Sequence, residues 1–188
     1  NGKHQIVLIS ENIKSEKQKD VFTIIESKYP VKLSQRELNQ LNKIIQKIVD
    51  AFQLLDTPML VQVMHNRKGF FVHEFSARIG GGSKHYLINR VTDFNILNFF
   101  INVLESNRDN SIKICNETKS ACIHYIYAKQ GIVQKLKKLE KEKETGIIED
   151  IFFYKTEGMN VTGNIYSGDR ICGILLTEQN DSIISNIE

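Results

Sequence analysis

The sequence predicts an α+β fold: an antiparallel sheet with packed helices, followed by a small β-rich C-terminal subdomain. Three observations carry this. A capped amphipathic helix follows β-branched strand-like runs, two apolar runs meet at an Asn-Arg-Lys-Gly turn, and further strand-like runs crowd the last third of the chain. With 188 residues, 41% of them hydrophobic, the chain can bury a real core as one large domain or two small ones.

The elements follow in order. "HQIVLIS" and "VFTIIESKYP" read as two short strands, the second ended by Pro30. Ser34 then opens a helix, because "SQRE" sets Ser34 at the N-cap and Glu37 three residues on, the pattern of a capping box. Leu38, Leu41, Ile45, Ile48, Val49 and Phe52 recur at helical spacing, and Asp56-Thr57-Pro58 stops the helix. "MLVQVMHNRKGFFVHEFS" reads as a hairpin in which Gly69 takes the left-handed position of a three-residue loop with a bulge. Residues 83–90 suit a short helix. "TDFNILNFFINVLE" suits a better one, capped by Thr92 or Asp93, with Phe94, Leu97, Ile101 and Leu104 on one face. Polar residues 106–120 mark the boundary and divide the chain into residues 1–110 and 111–188. Beyond it "ACIHYIYA", "GIVQKL", "GIIEDIFFY" and "DRICGILLT" read as strands, with a charged helix over 139–144 between the middle pair.

Several function classes lack their parts. The net charge is only +3 and acids alternate with bases, so nothing indicates nucleic acid; "KLKKLEKEKE" reads as a solvated helix face. Cys115, Cys122 and Cys172 are odd in number and without CxxC spacing, which fits small buried hydrophobes in a reducing cytoplasm. No apolar run approaches the roughly 18 residues of a membrane span, and no signal-peptide pattern opens the chain. His4, His65, His73 and His124 share no zinc-site spacing, and no P-loop, G-x-G-x-x-G or G-x-S-x-G occurs. The expectation is a cytoplasmic protein without nucleic-acid or membrane partners; a homo-oligomer is left open. The first residue is Asn1 rather than Met, which suggests a piece of a longer protein.

The hairpin carries the chemistry. A three-residue loop pairs Asn66 with Phe70, Met64 with Val72, Gln62 with Glu74 and Leu60 with Ser76, and cross-strand partners share a face. One face then holds Leu60, Gln62, Met64, Val72, Glu74 and Ser76; the other holds Val61, Val63, His65, Phe71, His73 and Phe75. Both are largely apolar, so Glu74 is expected to be partly desolvated and in need of a partner. Magnesium is one partner, since it takes oxygen ligands and Gln62, Glu74 and Ser76 all offer oxygen on one face. An ion pair with Arg78 or a lysine at the sheet rim is the other. A two-residue loop would slip the register by one and send Gln62 and Glu74 to opposite faces. The three glycines Gly80, Gly81 and Gly82 suit either close backbone approach to a substrate or a flexible connection to the next helix.

"MLVQVMHNRKGFFVHEFSARIGGG" resembles the metal-binding hairpin of the ATP-grasp ligases, which pair an acidic residue or glutamine on one strand with E-x-N-x-R on the next. The glutamine looks like that of the carbamoyl phosphate synthetase large subunit, and "ARIGGG" like the L-amino-acid ligase branch. "GKHQIVLISENIK", the capped helix and Pro58 follow the order of the second half of an ATP-grasp domain. "GIVQKL", "GIIEDIFFYKTEGMNVTG" and "SGDRICGILL" resemble the small β-rich C-terminal region of the amino-acid ligases.

The resemblance implies ATP and Mg2+ as cofactors and a carboxylate and an amine as substrates, joined through an acyl phosphate. It implies that Glu74 bridges two magnesium ions, Gln62 binds one of them, and Arg78 holds the transferred phosphate. Ser76 stands where the family has asparagine, and its hydroxyl reaches less far. Gly80, Gly81 and Gly82 would approach a substrate; His85 faces the acceptor substrate or is a surface histidine. The family's N-terminal domain, flap, phosphate-binding lysines and hinge are absent, so the missing N-terminal half of the same enzyme is an expected partner, and this chain alone is expected to bind ATP poorly. A carbamoyl phosphate synthetase-like role, activating bicarbonate, and a non-catalytic binding or regulatory module that kept the fold are the alternatives.

Overall fold

A computed structural model gives the architecture and describes residues 2–15, 23–105, 112, 114, 120–134, 143–144, 148–163 and 166–177. Two compact units are formed: Asn1–Ile9 with Val31–Asn116, and Ser10–Pro30 with Glu117–Glu188.

The first unit is built on α1 (Gln35–Phe52). Its predicted capping box is present. The Ser34 hydroxyl accepts from the Glu37 N–H at 3.3 Å, and the Glu37 carboxylate accepts from the Ser34 N–H at 2.7 Å. The Ser34 hydroxyl also donates to the Glu37 carboxylate at 2.6 Å, and this bond first, with the Ser34 N–H second, holds the Glu37 carboxyl below its ordinary pKa. Leu41 and Val49 are the buried residues of the helix, and Gln53 ends it in a left-handed conformation (φ 51°). The hairpin β3 (Leu60–Asn66) and β4 (Gly69–Ser76) packs one face on α1. Phe52 meets Phe75 edge-on at 4.7 Å, and Glu37 pairs with His65 at 3.2 Å. Two helices complete the unit, α2 (Lys84–Thr92) and α3 (Ile96–Leu104). Leu87, Ile88 and Val91 of α2 join Phe70 and Phe94 among the buried residues, each such side chain contributing about 1.5–3 kcal/mol.

Three expectations change here. Residues 4–10 lie outside any strand. The strand that precedes β2 (Ile24–Tyr29) is instead the polar β1 (Glu11–Lys14). Thr92 and Asp93 do not cap α3. Thr92 closes α2, its hydroxyl donating to the Ile88 carbonyl at 2.7 Å, and Asp93 is the left-handed residue that stops that helix. The cap of α3 is Asn95, whose side chain accepts from the Asn98 N–H at 3.0 Å. Leu97, Ile101 and Leu104 do share a face, and all three are exposed.

The second unit is a five-stranded antiparallel sheet in the order β1-β2-β5-β9-β7, with β5 Ala121–Tyr127, β7 Asp150–Phe153 and β9 Arg170–Leu176. Residues 1–110 therefore do not form one block: β2 pairs with β5, so the stretch Ser10–Pro30 belongs to the C-terminal sheet. Two residues of "GIVQKL" form β6 (Gly131–Ile132), paired with a strand the sequence did not announce, β8 (Asn160–Val161). Of the charged helix at 139–144 only Lys143 and Glu144 are described, both helical; the boundary at 106–120 and Cys115 lie almost wholly outside the described residues.

The core of this unit is Cys122, Ile148, Cys172, Ile174 and Leu176. Cys122 and Cys172 are buried and joined in no disulfide among the described residues, and burial pushes the Cys172 thiol up to about 12, as for a small hydrophobe. Cross-strand neighbours Glu26 and His124 are both buried and lie 3.7 Å apart. Asp169, fully buried, is held by the Thr162 hydroxyl at 2.5 Å and by Lys155 at 3.9 Å. These bonds, the Thr162 hydroxyl above all, keep its carboxyl below the ordinary range. Among the described residues no helix is long and apolar enough to cross a membrane.

Gly173 is closely enclosed: a Cβ there would come within 2.7 Å of Tyr154 Oη and 3.1 Å of Ile123 Cγ2. Gly173→Ala should therefore destabilise the second unit by about 1–3 kcal/mol in chemical denaturation. Adding Tyr154→Phe, which removes the nearer atom, should recover part of the loss.

Candidate functional site

The hairpin turn has two residues, Arg67 and Lys68, not three. Asn66 is the reason: its side-chain oxygen accepts the Lys68 N–H at 2.8 Å and closes the turn early. Gly69, at φ 119°, opens β4 against Gln40 of α1, where a Cβ would displace the Gln40 amide and the positive φ would strain any other residue. Asn66 thus pairs with Gly69, His65 with Phe70, Met64 with Phe71 and Val63 with Val72. Continued unbroken, that register would set Glu74 opposite Val61, away from Gln62.

The strand does not continue unbroken. The register shifts between Gln62 and Val63, and His73 is the extra residue on β4. A β-bulge of this kind places two residues against one and restores the pairing by one step. Beyond it Gln62 faces Glu74, Val61 faces Phe75 and Leu60 faces Ser76. The short turn and the bulge cancel, so the amide and the acid share a face, although Phe71 and Val72 exchange the faces the sequence assigned them.

One face holds Val61, Val63, His65, Phe70, Val72 and Phe75, and meets α1 through Phe75 and the His65–Phe70 stack, with rings 4.2 Å apart. The other holds Leu60, Gln62, Met64, Phe71, Glu74 and Ser76. On it Met64 and Phe71 are about half exposed, at 50% and 47%, and Glu74 is exposed. The expected desolvation of Glu74 is not found: Glu74 is exposed, while Leu60, Gln62 and Ser76 on the same face are half-buried.

The competing ion pair is not made either. Among the described residues no lysine or arginine pairs with Glu74. Arg78 is exposed; its N–H donates to the Ser76 carbonyl at 2.8 Å, and its Nη1 donates to the Ile79 carbonyl at 3.0 Å.

The glycine run returns to this face. A Cβ on Gly80 would lie 3.3 Å from Leu60 Cδ1, and Leu60 is the partner of Ser76. Gly81 borders open space. Gly82 (φ +65°) and Ser83 (φ 60°) are both left-handed and turn the chain into α2. His85, in the first turn of α2, is half-buried, and desolvation lowers its pKa; its ring contacts Tyr86 at 4.1 Å. Gln62, Glu74 and Ser76 thus share a face with Leu60, and the approach of Gly80 to Leu60 is the link that sequence reading missed, while His85 has a different neighbour.

The donor set fits a hard cation. A carboxylate, an amide oxygen and a hydroxyl share one accessible face, and the carboxylate has no protein cation beside it among the described residues. Among the described residues no three His, Cys, Asp or Glu side chains converge. A magnesium ion here would take one carboxylate from this face and complete its shell with neutral oxygens, water and phosphate.

No family model and no curated protein sequence matches the chain. Solved structures do. An L-amino acid ligase from Bacillus licheniformis superposes with a TM-score of 0.73 at 19% identity, over 95% of this chain and 45% of that one. Phosphoribosylglycinamide synthetase from Anaerococcus prevotii gives 0.69 at 14% identity, over 94% and 44%. The biotin carboxylase domain of Hydrogenobacter thermophilus 2-oxoglutarate carboxylase, solved with MgADP and bicarbonate, gives 0.55 at 12% identity, over 82% and 35%. These are ATP-grasp ligases, and the chain has the fold of about half the length of the first two.

Because Glu74 supports no ion pair among the described residues, Glu74→Gln should leave stability within about 0.5 kcal/mol of wild type. A larger loss in denaturant titration would show a structural role for the carboxylate.

Proposed function

We propose that the chain supplies part of the catalytic unit of an ATP-dependent carboxylate–amine ligase. The observation that supports this reading best is the pairing of Gln62 with Glu74 on an exposed face, beside Ser76 and followed by Arg78 and three glycines. The ATP-grasp fold agrees with it.

In the proposed reaction a substrate carboxylate oxygen attacks the γ-phosphorus of ATP. The bond to the β,γ-bridging oxygen breaks, and ADP leaves. An amine nitrogen then attacks the acyl carbon, loses a proton, and displaces inorganic phosphate. Glu74, with Gln62 and the Ser76 hydroxyl, would hold Mg2+, which neutralises phosphate charge when bound. Arg78 would meet the transferred phosphoryl group with its planar fork. The uncrowded backbone at Gly81 would let substrate approach, and His85, whose pKa desolvation lowers, would serve the acceptor amine. The complete enzyme would include the N-terminal half that this chain lacks, would work in the cytoplasm on small molecules, and would need neither nucleic acid nor membrane. Homo-oligomerisation is compatible with it.

Ser76 favours a second reading, a binding or regulatory module that kept the fold. A serine hydroxyl reaches less far than the asparagine amide expected there, and a weakened metal shell would cost activity.

The test is ADP release by the full-length protein with Mg2+, across amino acids, other carboxylates and bicarbonate, with and without amines. Mg2+-dependent ADP release that needs a carboxylate is expected, and Glu74→Ala should reduce it by about 10²–10³-fold. No release with any carboxylate, together with no thermal shift on adding MgADP, would decide for the non-catalytic module.

A further inference from the structure

We propose that His4 is a protonation-dependent latch holding residues 2–9 on α1. The imidazole Nδ1 lies 2.8 Å from Gln46 Oε1 and Nε2 lies 2.9 Å from Asn42 Oδ1. Both amides are oriented by their other bonds. Asn42 Nδ2 donates to the Leu38 carbonyl at 2.9 Å. Gln46 Nε2 donates to the Gly2 carbonyl at 2.7 Å and to Asp50 Oδ1 at 2.8 Å. Each ring nitrogen therefore faces an oxygen that can only accept, and only the imidazolium carries N–H groups on both nitrogens.

A neutral ring cannot satisfy this arrangement. It keeps one bond and sets a bare ring nitrogen against an amide oxygen at the other. Turning an amide round instead would give up the Leu38 bond at Asn42, or the Gly2 and Asp50 bonds at Gln46. Leu38, Asn42, Gln46 and Asp50 stand four residues apart on one stripe of α1, so the network extends along about three turns of the helix.

The charges around the latch are few. Asp50, bonded to the far side of Gln46, favours the cation through the amide between them. Lys43 and Lys47 adjoin the two ring partners in sequence, and Lys3 adjoins His4. The hairpin meets α1 through Glu37, Gln40 and Phe52, and the imidazole it presents, His65, pairs with Glu37. The sign follows: the latch is complete while His4 is charged and loses a bond as rising pH removes the proton.

The test is NMR on the whole chain over about pH 5–8, following the His4 ring nitrogens and the exchange protection of residues 2–9, corrected for intrinsic exchange. Protection should fall about tenfold as the ring becomes neutral, the effect of losing one hydrogen bond. Asn42→Asp should carry that fall to higher pH, because a carboxylate strengthens the cation's bond, and it leaves His4 itself in place. His4→Gln should abolish the pH dependence without changing the protection of α1. A ring that titrates with no change in protection, or a fall that Asn42→Asp leaves where it was, would overturn the proposal.

Discussion

One extra residue in one strand governs the candidate site. A side chain in a β-strand points to one face or the other with a period of two, so an insertion of one reverses everything beyond it. The two-residue turn at Arg67-Lys68 alone would have sent Glu74 to the α1 side, with His65, Phe70 and Val72, and Phe75 away from it. His73 reverses the strand once more and returns Glu74 to the side of Gln62. Everything attributed to this face, from the oxygen donors to the glycine run resting on Leu60, depends on that single bulge.

The two faces of the hairpin do different work because their chemistry differs. Aromatic rings and the Glu37–His65 pair fasten one face to α1, and the helix is held by its own capping box, so the platform is fixed by contacts that leave the acid alone. The other face keeps a carboxylate accessible, beside apolar Met64 and Phe71 that are half exposed. An exposed acid without a protein cation among the described residues costs little to maintain and remains able to take a cation from outside. The second unit shows the opposite solution: Asp169, which is buried, is clamped by Thr162 and Lys155, and Glu26 is set beside His124.

Legibility in the sequence followed locality. The α1 cap was readable because Ser34 and Glu37 act within one turn, and β5 and β9 because apolar residues crowd both their faces. The edge strand β1 was not, since Glu11–Lys14 carries no apolar alternation and owes its place to β2, while the more strand-like residues 4–10 belong to no strand. At α3, Thr92 and Asp93 are good cap residues that the chain spent on ending α2. At the site, a three-residue loop without the bulge at His73 gives the same pairing of Gln62 with Glu74 as the two-residue turn with it, two differences of one residue that offset each other. Asn at the first and Gly at the fourth position of the turn was the signal for the shorter loop. Nothing in the sequence announced His73 as the bulged residue.

The most direct test of this account is cross-strand disulfide trapping. Cysteine partners must come within about 4.4–6.8 Å at Cα with their side chains turned toward each other. The variant Gln62→Cys/Glu74→Cys should close a disulfide under mild oxidation, while Val61→Cys/Glu74→Cys should not. The reverse pattern would mean that the strands run unbroken from the turn, that the acid lies on the helix side, and that the proposed cation face does not exist.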